Sequence, residues 1–84
     1  APALSDAAAR RAAKKEADRI ERRLERLRSE AGGLEARLEA LGHEVASDPS
    51  AVSELQEASA RHFRALSEIA ELEDAWLQAA ELLE

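Results

Sequence analysis

Cysteine, methionine and tyrosine are missing from this chain, and phenylalanine and tryptophan occur once each. Without cysteine, neither a disulfide framework nor a thiolate metal site can form. That fits a reducing compartment, and the expected location is cytoplasmic. Two aromatic residues in 84 leave little with which to fill a thick core. No apolar run approaches the roughly 20 residues that span a bilayer, so no membrane partner is expected. The opening, APALSDAAARRAAKK, lacks the order of basic region, apolar core and cleavage site that marks a signal peptide. Ala1 to Leu4 read as a linker, and residues 1–84 read as a single domain belonging to a larger protein.

What remains is mostly alanine, leucine and charge. Hydrophobic residues make up 45% of the chain and charged residues 36%, the blend of long helices and coiled coils. The net charge of −6 is unevenly spread. Arg10 to Arg28 holds nine basic and four acidic residues, a local +5, so the rest of the chain carries −11. Such asymmetry points to a surface with one preferred sign of partner.

The first helix is set by spacing. Ala13, Ala17, Ile20, Leu24, Leu27, Ala31, Leu34, Leu38, Leu41 and Val45 follow one another at alternating steps of four and three. This a/d seam lasts more than four heptads, which argues for a coiled coil. Ser5 reads as its N-cap, and the helix is expected over about 5–46. Gly32 and Gly33 fall at b and c, away from the seam. Each costs about 1 kcal/mol against alanine in a helix interior, but the apolar register passes through them intact. The expectation is one softened helix rather than two.

ASDPSAV makes the connection. Asp48 followed by Pro49 reads as an N-cap with proline at the first helical position, which starts a second helix over about 49–84. A loop this short sends it back along the first. Continuing the same spacing gives a seam of Val52, Leu55, Ser59, His62, Leu66, Ile69, Glu73, Trp76, Ala80 and Leu83. Antiparallel pairing with residue numbers totalling about 96 or 97 sets Leu41 by Leu55, Ala31 by Leu66, Leu27 by Ile69 and Ile20 by Trp76. The expected fold is therefore all-α, an antiparallel two-helix coiled-coil hairpin. Phe63, Leu72 and Leu77 lie just off this seam and, with Trp76, make an apolar face too wide for one helix to cover. They are the candidate interface, to a second copy or to another domain.

Catalysis finds no constellation. His43 and His62 lie on different helices, with no carboxylate at metal-ligand spacing. His62 reads as a polar seam residue that sets register. No glycine-rich loop could cradle a nucleotide. Neither catalytic nor metal-binding residues are assigned, and no cofactor is expected. The candidate binding site is a cationic stripe of Arg11, Lys15, Arg19, Arg22 and Arg26 at b, c and f positions. It is about 22 Å long at 1.5 Å per residue, enough to follow several phosphates, and arginine's planar fork suits them. Against this, Asp18 and Glu25 share the face, and Asp18 can pair with Arg22. The acidic end of the second helix (Glu68, Glu71, Glu73, Asp74) also lies alongside. No aromatic residues interleave with the arginines, so contact would be to backbone rather than to bases. Trp76 reads as a core filler opposite Ile20, with base stacking the remoter role.

The chain resembles the C-terminal domain of ABC-F ATPases of the Uup-like kind. The resemblance lies in Leu4–Ser5 opening a charged helix, the KKEADRIERRLERL stretch, the Asp-Pro turn and the closing LEDAWLQAAELLE. It implies a non-catalytic appendage of a cytoplasmic ATPase that acts in translation, contacting DNA, RNA or the ribosome, with ribosomal RNA among the expected partners. Arg19, Arg22 and Arg26 would be the contacting residues, and ATP binding would belong to the cassettes of the parent. Two other readings stand beside it. One is a structural hairpin that dimerises or binds protein through Phe63, Leu72, Trp76 and Leu77. The other is the tRNA-contacting arm of a class I aminoacyl-tRNA synthetase.

Overall fold

The computed structural model describes residues 2–83, with the side chains of residues 6–83. Helix α1 runs Pro2–Glu44 and helix α2 runs Ala51–Glu81. No strand occurs among the described residues. The fold is all-α, an antiparallel two-helix coiled-coil hairpin measuring 69 × 14 × 14 Å.

The start of α1 departs from expectation. Pro2 to Leu4, read as linker, are helical, and Ser5 lies inside the helix instead of capping it. Proline is tolerated in a first turn, where its missing N–H would be unpaired anyway, and the alanines that follow propagate helix well. Ala1 lies outside the described residues. At the other end α1 stops at Glu44, two residues before the expected boundary.

Gly32 and Gly33 do not break α1, and no glycine adopts a positive φ. A Cβ at either would meet nothing within 4 Å. Alanine at Gly33 therefore removes backbone entropy from the unfolded chain without a clash. Gly33→Ala should stabilise the hairpin by about 1 kcal/mol, raising its melting temperature by roughly 4–8 °C in a domain of this size. A fall in a circular-dichroism melt would show that the helix bends there.

The turn is held by Asp48. Its carboxylate accepts the Ser50 backbone N–H at 3.1 Å and the Ser50 hydroxyl at 2.6 Å. The helix starts two residues later than expected, since Ser50 is its N-cap and makes no side-chain cap bond, and Pro49 lies in the turn. Asp48 instead ties the turn together ahead of the helix. The intervening turn is tighter, with Ala51 N–H to Asp48 O at 3.0 Å and Val52 N–H to Pro49 O at 3.2 Å. On the α1 side, Val45, Ser47 and Asp48 N–H groups return to the carbonyls of Leu41 and Glu44.

The seam of α1 is the expected one. Ala13, Ala17, Ile20, Leu24, Leu27, Ala31, Leu34 and Leu41 are all buried, Ile20 and Leu41 almost completely. On α2 the seam needs correction. Leu55, His62, Ile69 and Trp76 keep their places, half-buried, but the residues between them are shifted by one. Ala51, Ala58, Ala65 and Ala79 are buried, while Val52, Ser59, Leu66 and Glu73 are exposed. Leu72, placed off the seam from sequence, sits in it between Ala65 and Ala79. The error has a simple cause. Continuing the α1 spacing crosses residues 45–50, which are not helical, so the helical phase is not carried through the turn.

With that correction every layer falls at one register, its two residue numbers totalling 96. Leu38 lies level with Ala58, Ala31 with Ala65 (not Leu66), Leu24 with Leu72 and Ala17 with Ala79. Near the turn, Leu34, Leu41, Ala51 and Ala58 form one cluster with Leu38, Val45 and Leu55 packed on it. Near the turn Ala51 and Ala58 pack among Leu34, Leu38 and Leu41, so large and small side chains interdigitate there, whereas alanine meets alanine at the layers of Ala31 and Ala17. His62 is the lone polar residue of the seam, level with Leu34.

Candidate nucleic-acid interface

Charged residues flank the seam at g and e positions, where an antiparallel coiled coil sets g against g and e against e. On one flank Arg23 forks onto both carboxylate oxygens of Glu68, each at 3.0 Å. One heptad on, Glu30 takes Arg61 at 3.9 Å, and another heptad on, Arg37 takes Glu54. The sign alternates along this ladder, so sliding α2 by one heptad would set like charges together. On the other flank Arg28 pairs with Glu73 at 3.2 Å and Glu35 meets the His62 ring at 3.2 Å. The Trp76 indole N–H donates to Glu21 at 3.0 Å. All these pairs keep water contact, so solvent screening leaves each little weight in stability. Their larger effect is on register.

These bonds determine which cations remain available. Of the four α2 acids expected to mask the stripe, two are occupied across the seam, Glu68 by Arg23 and Glu73 by Arg28. Arg11, Lys15, Arg19, Arg22 and Arg26 are all exposed on the outer side of α1. Among the described residues, Lys15, Arg22 and Arg26 take part in no ion pair. Arg19 is held by Glu16 through two bonds of 2.5 and 3.1 Å. That contact pulls the Glu16 carboxyl below its ordinary value and raises the Arg19 guanidinium, in each case chiefly through the hydrogen bond. Asp18 was expected to quench Arg22. It takes Lys14 instead, at 2.9 Å, and raises that ammonium's pKa by the bond and its own charge. Lys14 lies outside the stripe.

The four candidate interface residues do not form one surface. Leu72 and Trp76 are half-buried in the seam, whereas Phe63 is 71% exposed and Leu77 56% exposed. Leu66 and Val52, assigned to the seam from sequence, belong with Phe63 and Leu77 on the outside. The heptad repeat of small residues at 51, 58, 65 and 79 was the available signal. Among the described residues no group of three His, Asp or Glu side chains could hold a metal ion. Nor is any helix long and apolar enough to cross a membrane. No family model matches the chain, and neither curated proteins nor solved structures give a match.

Proposed function

We propose that this chain is a non-catalytic coiled-coil arm that binds a nucleic-acid phosphate backbone through the outer face of α1. The observation that carries the reading is the set of exposed cations Lys15, Arg22 and Arg26, left without acidic partners among the described residues while Glu68 and Glu73 are bonded across the seam. Arg11 and Arg19 extend the row at helical spacing. A rigid helix presents such a row at fixed separations, and phosphates are met by position and charge, without sequence readout. The resemblance of the KKEADRIERRLERL stretch and the Trp76 context to ABC-F C-terminal domains supports the further step. On that step the arm belongs to a cytoplasmic ATPase and contacts RNA, the ribosome or DNA.

The test is a titration against labelled single-stranded DNA, duplex DNA and RNA hairpins at low and moderate salt. Beside it runs a variant carrying Arg19→Glu, Arg22→Glu and Arg26→Glu. All three side chains point to solvent, so the variant should fold. Binding should weaken steeply with salt through counterion release, and the variant should lose roughly 100-fold or more in affinity. Absence of binding by the parent chain at low salt, or equal binding by the variant, would remove this face as the site.

A further inference from the structure

Helix α2 carries a second apolar stripe that the hairpin does not use. Val52, Gln56, Ser59, Phe63, Leu66, Ala70, Glu73 and Leu77 follow one another at steps of four and three, at the b and e positions of α2. That spacing defines one helix face. Its large members are solvent-exposed, Phe63 most of all. A recess of about 440 Å³ opens beside Leu77, walled by Leu24, Arg28, Glu73 and Trp76.

We propose that this face is a docking surface for a second copy of the chain, α2 against α2 in antiparallel, with facing residue numbers totalling 129. The stripe is self-complementary at this register. Phe63 faces Leu66 of the second copy, Val52 faces Leu77, Ser59 faces Ala70 and Gln56 faces Glu73. Each pairing occurs twice, as a two-fold axis requires. Every large residue meets a large one, each small residue meets a small one, and the single acid in the stripe meets an amide that can donate to it. A slip of one heptad would set Phe63 against Ser59 in one direction or against Glu73 in the other. A parallel pairing would stack Glu73 on Glu73. The outer flank agrees, since Asp74 faces Ala60 and Glu81 faces Ser53, so no acid opposes an acid. The helices would face one another from Val52 to Leu77, about 38 Å at 1.5 Å per residue. This surface lies on α2, so it stands apart from the cationic face of α1.

Ser67 is the diagnostic position. On the flank of the 129 register it faces its own copy, whereas Ser53 lies about 42 Å from its own copy. The chain has no cysteine, so one introduced thiol reports cleanly. Sedimentation of the whole chain should give twice its 9.1 kDa mass. A short bismaleimide should link Ser67→Cys into dimers and leave Ser53→Cys unlinked. Phe63→Glu puts a carboxylate against Leu66 twice per dimer and should raise the dissociation constant at least roughly 100-fold. Its helicity should persist, because Phe63 is outside the hairpin seam. A strict monomer at high concentration, linkage at Ser53, no linkage at Ser67, or a Phe63→Glu dimer as tight as the parent would each overturn the proposal.

Discussion

Ala65→Glu is expected to destabilise the hairpin severely, whereas Leu66→Glu is expected to leave the single chain folded and nearly as stable. Ala65 is 4% exposed and level with Ala31, itself 5% exposed. A glutamate there must either force the helices apart or bury an unpaired carboxylate. An uncompensated buried charge costs about 3–5 kcal/mol. At roughly 0.05–0.15 kcal/mol per residue the domain holds about 4–13 kcal/mol, so the loss is a large share of the stability. Leu66 is 45% exposed, and a charge there remains in water. Circular-dichroism melts of both variants, taken at a concentration low enough to exclude association, decide the matter. If Leu66→Glu melts early and Ala65→Glu does not, the seam of α2 is displaced by one residue from the structure described.

Truncating Leu27 is the second large effect. Its side chain is 2% exposed, midway along α1 and level with Ile69. The hairpin's core is a single row of layers, so a gap there has few neighbours that can move in to close it. Leu27→Ala should cost about 2–5 kcal/mol, the transfer loss plus the residual cavity. At 4–8 °C per kcal/mol the melting temperature should fall by at least roughly 8 °C. Leu38→Ala, at a half-buried position, should cost less. A Leu27→Ala loss within about 0.5 kcal/mol, the range of ordinary surface changes, would mean that α1 and α2 are not packed there.

The cationic stripe was legible in the sequence because all its members sit on one helix at helical spacing, and the geometry of a single helix follows from its numbering. Its availability was not legible. Whether Glu68 and Glu73 quench the arginines depends on which partners they take across the seam, and Asp18 could have reached either Lys14 or Arg22. Similarly, Phe63, Leu72, Trp76 and Leu77 looked like one apolar face. The structure divides them, because a shift of one residue turns a side chain by about 100°.

Taken by itself, the sequence determined the all-helical class, the position of the turn at Asp48–Pro49, the seam of α1 and the antiparallel direction of α2. These follow from local rules: heptad spacing, a carboxylate before proline, and a loop too short for any other return. Only the tertiary structure decided which face of α2 meets α1. Two overlapping stripes run along that helix and share Leu55, His62, Ile69 and Trp76, and the α1 spacing continued through the turn leads to the one that α1 does not cover. Packing favours the alanine stripe because small residues let the helices approach and, near the turn, interlock with the leucines of α1, while charge pairs at Arg23, Glu30 and Arg37 hold the register. Periodicity finds stripes, but fit against a partner selects between them.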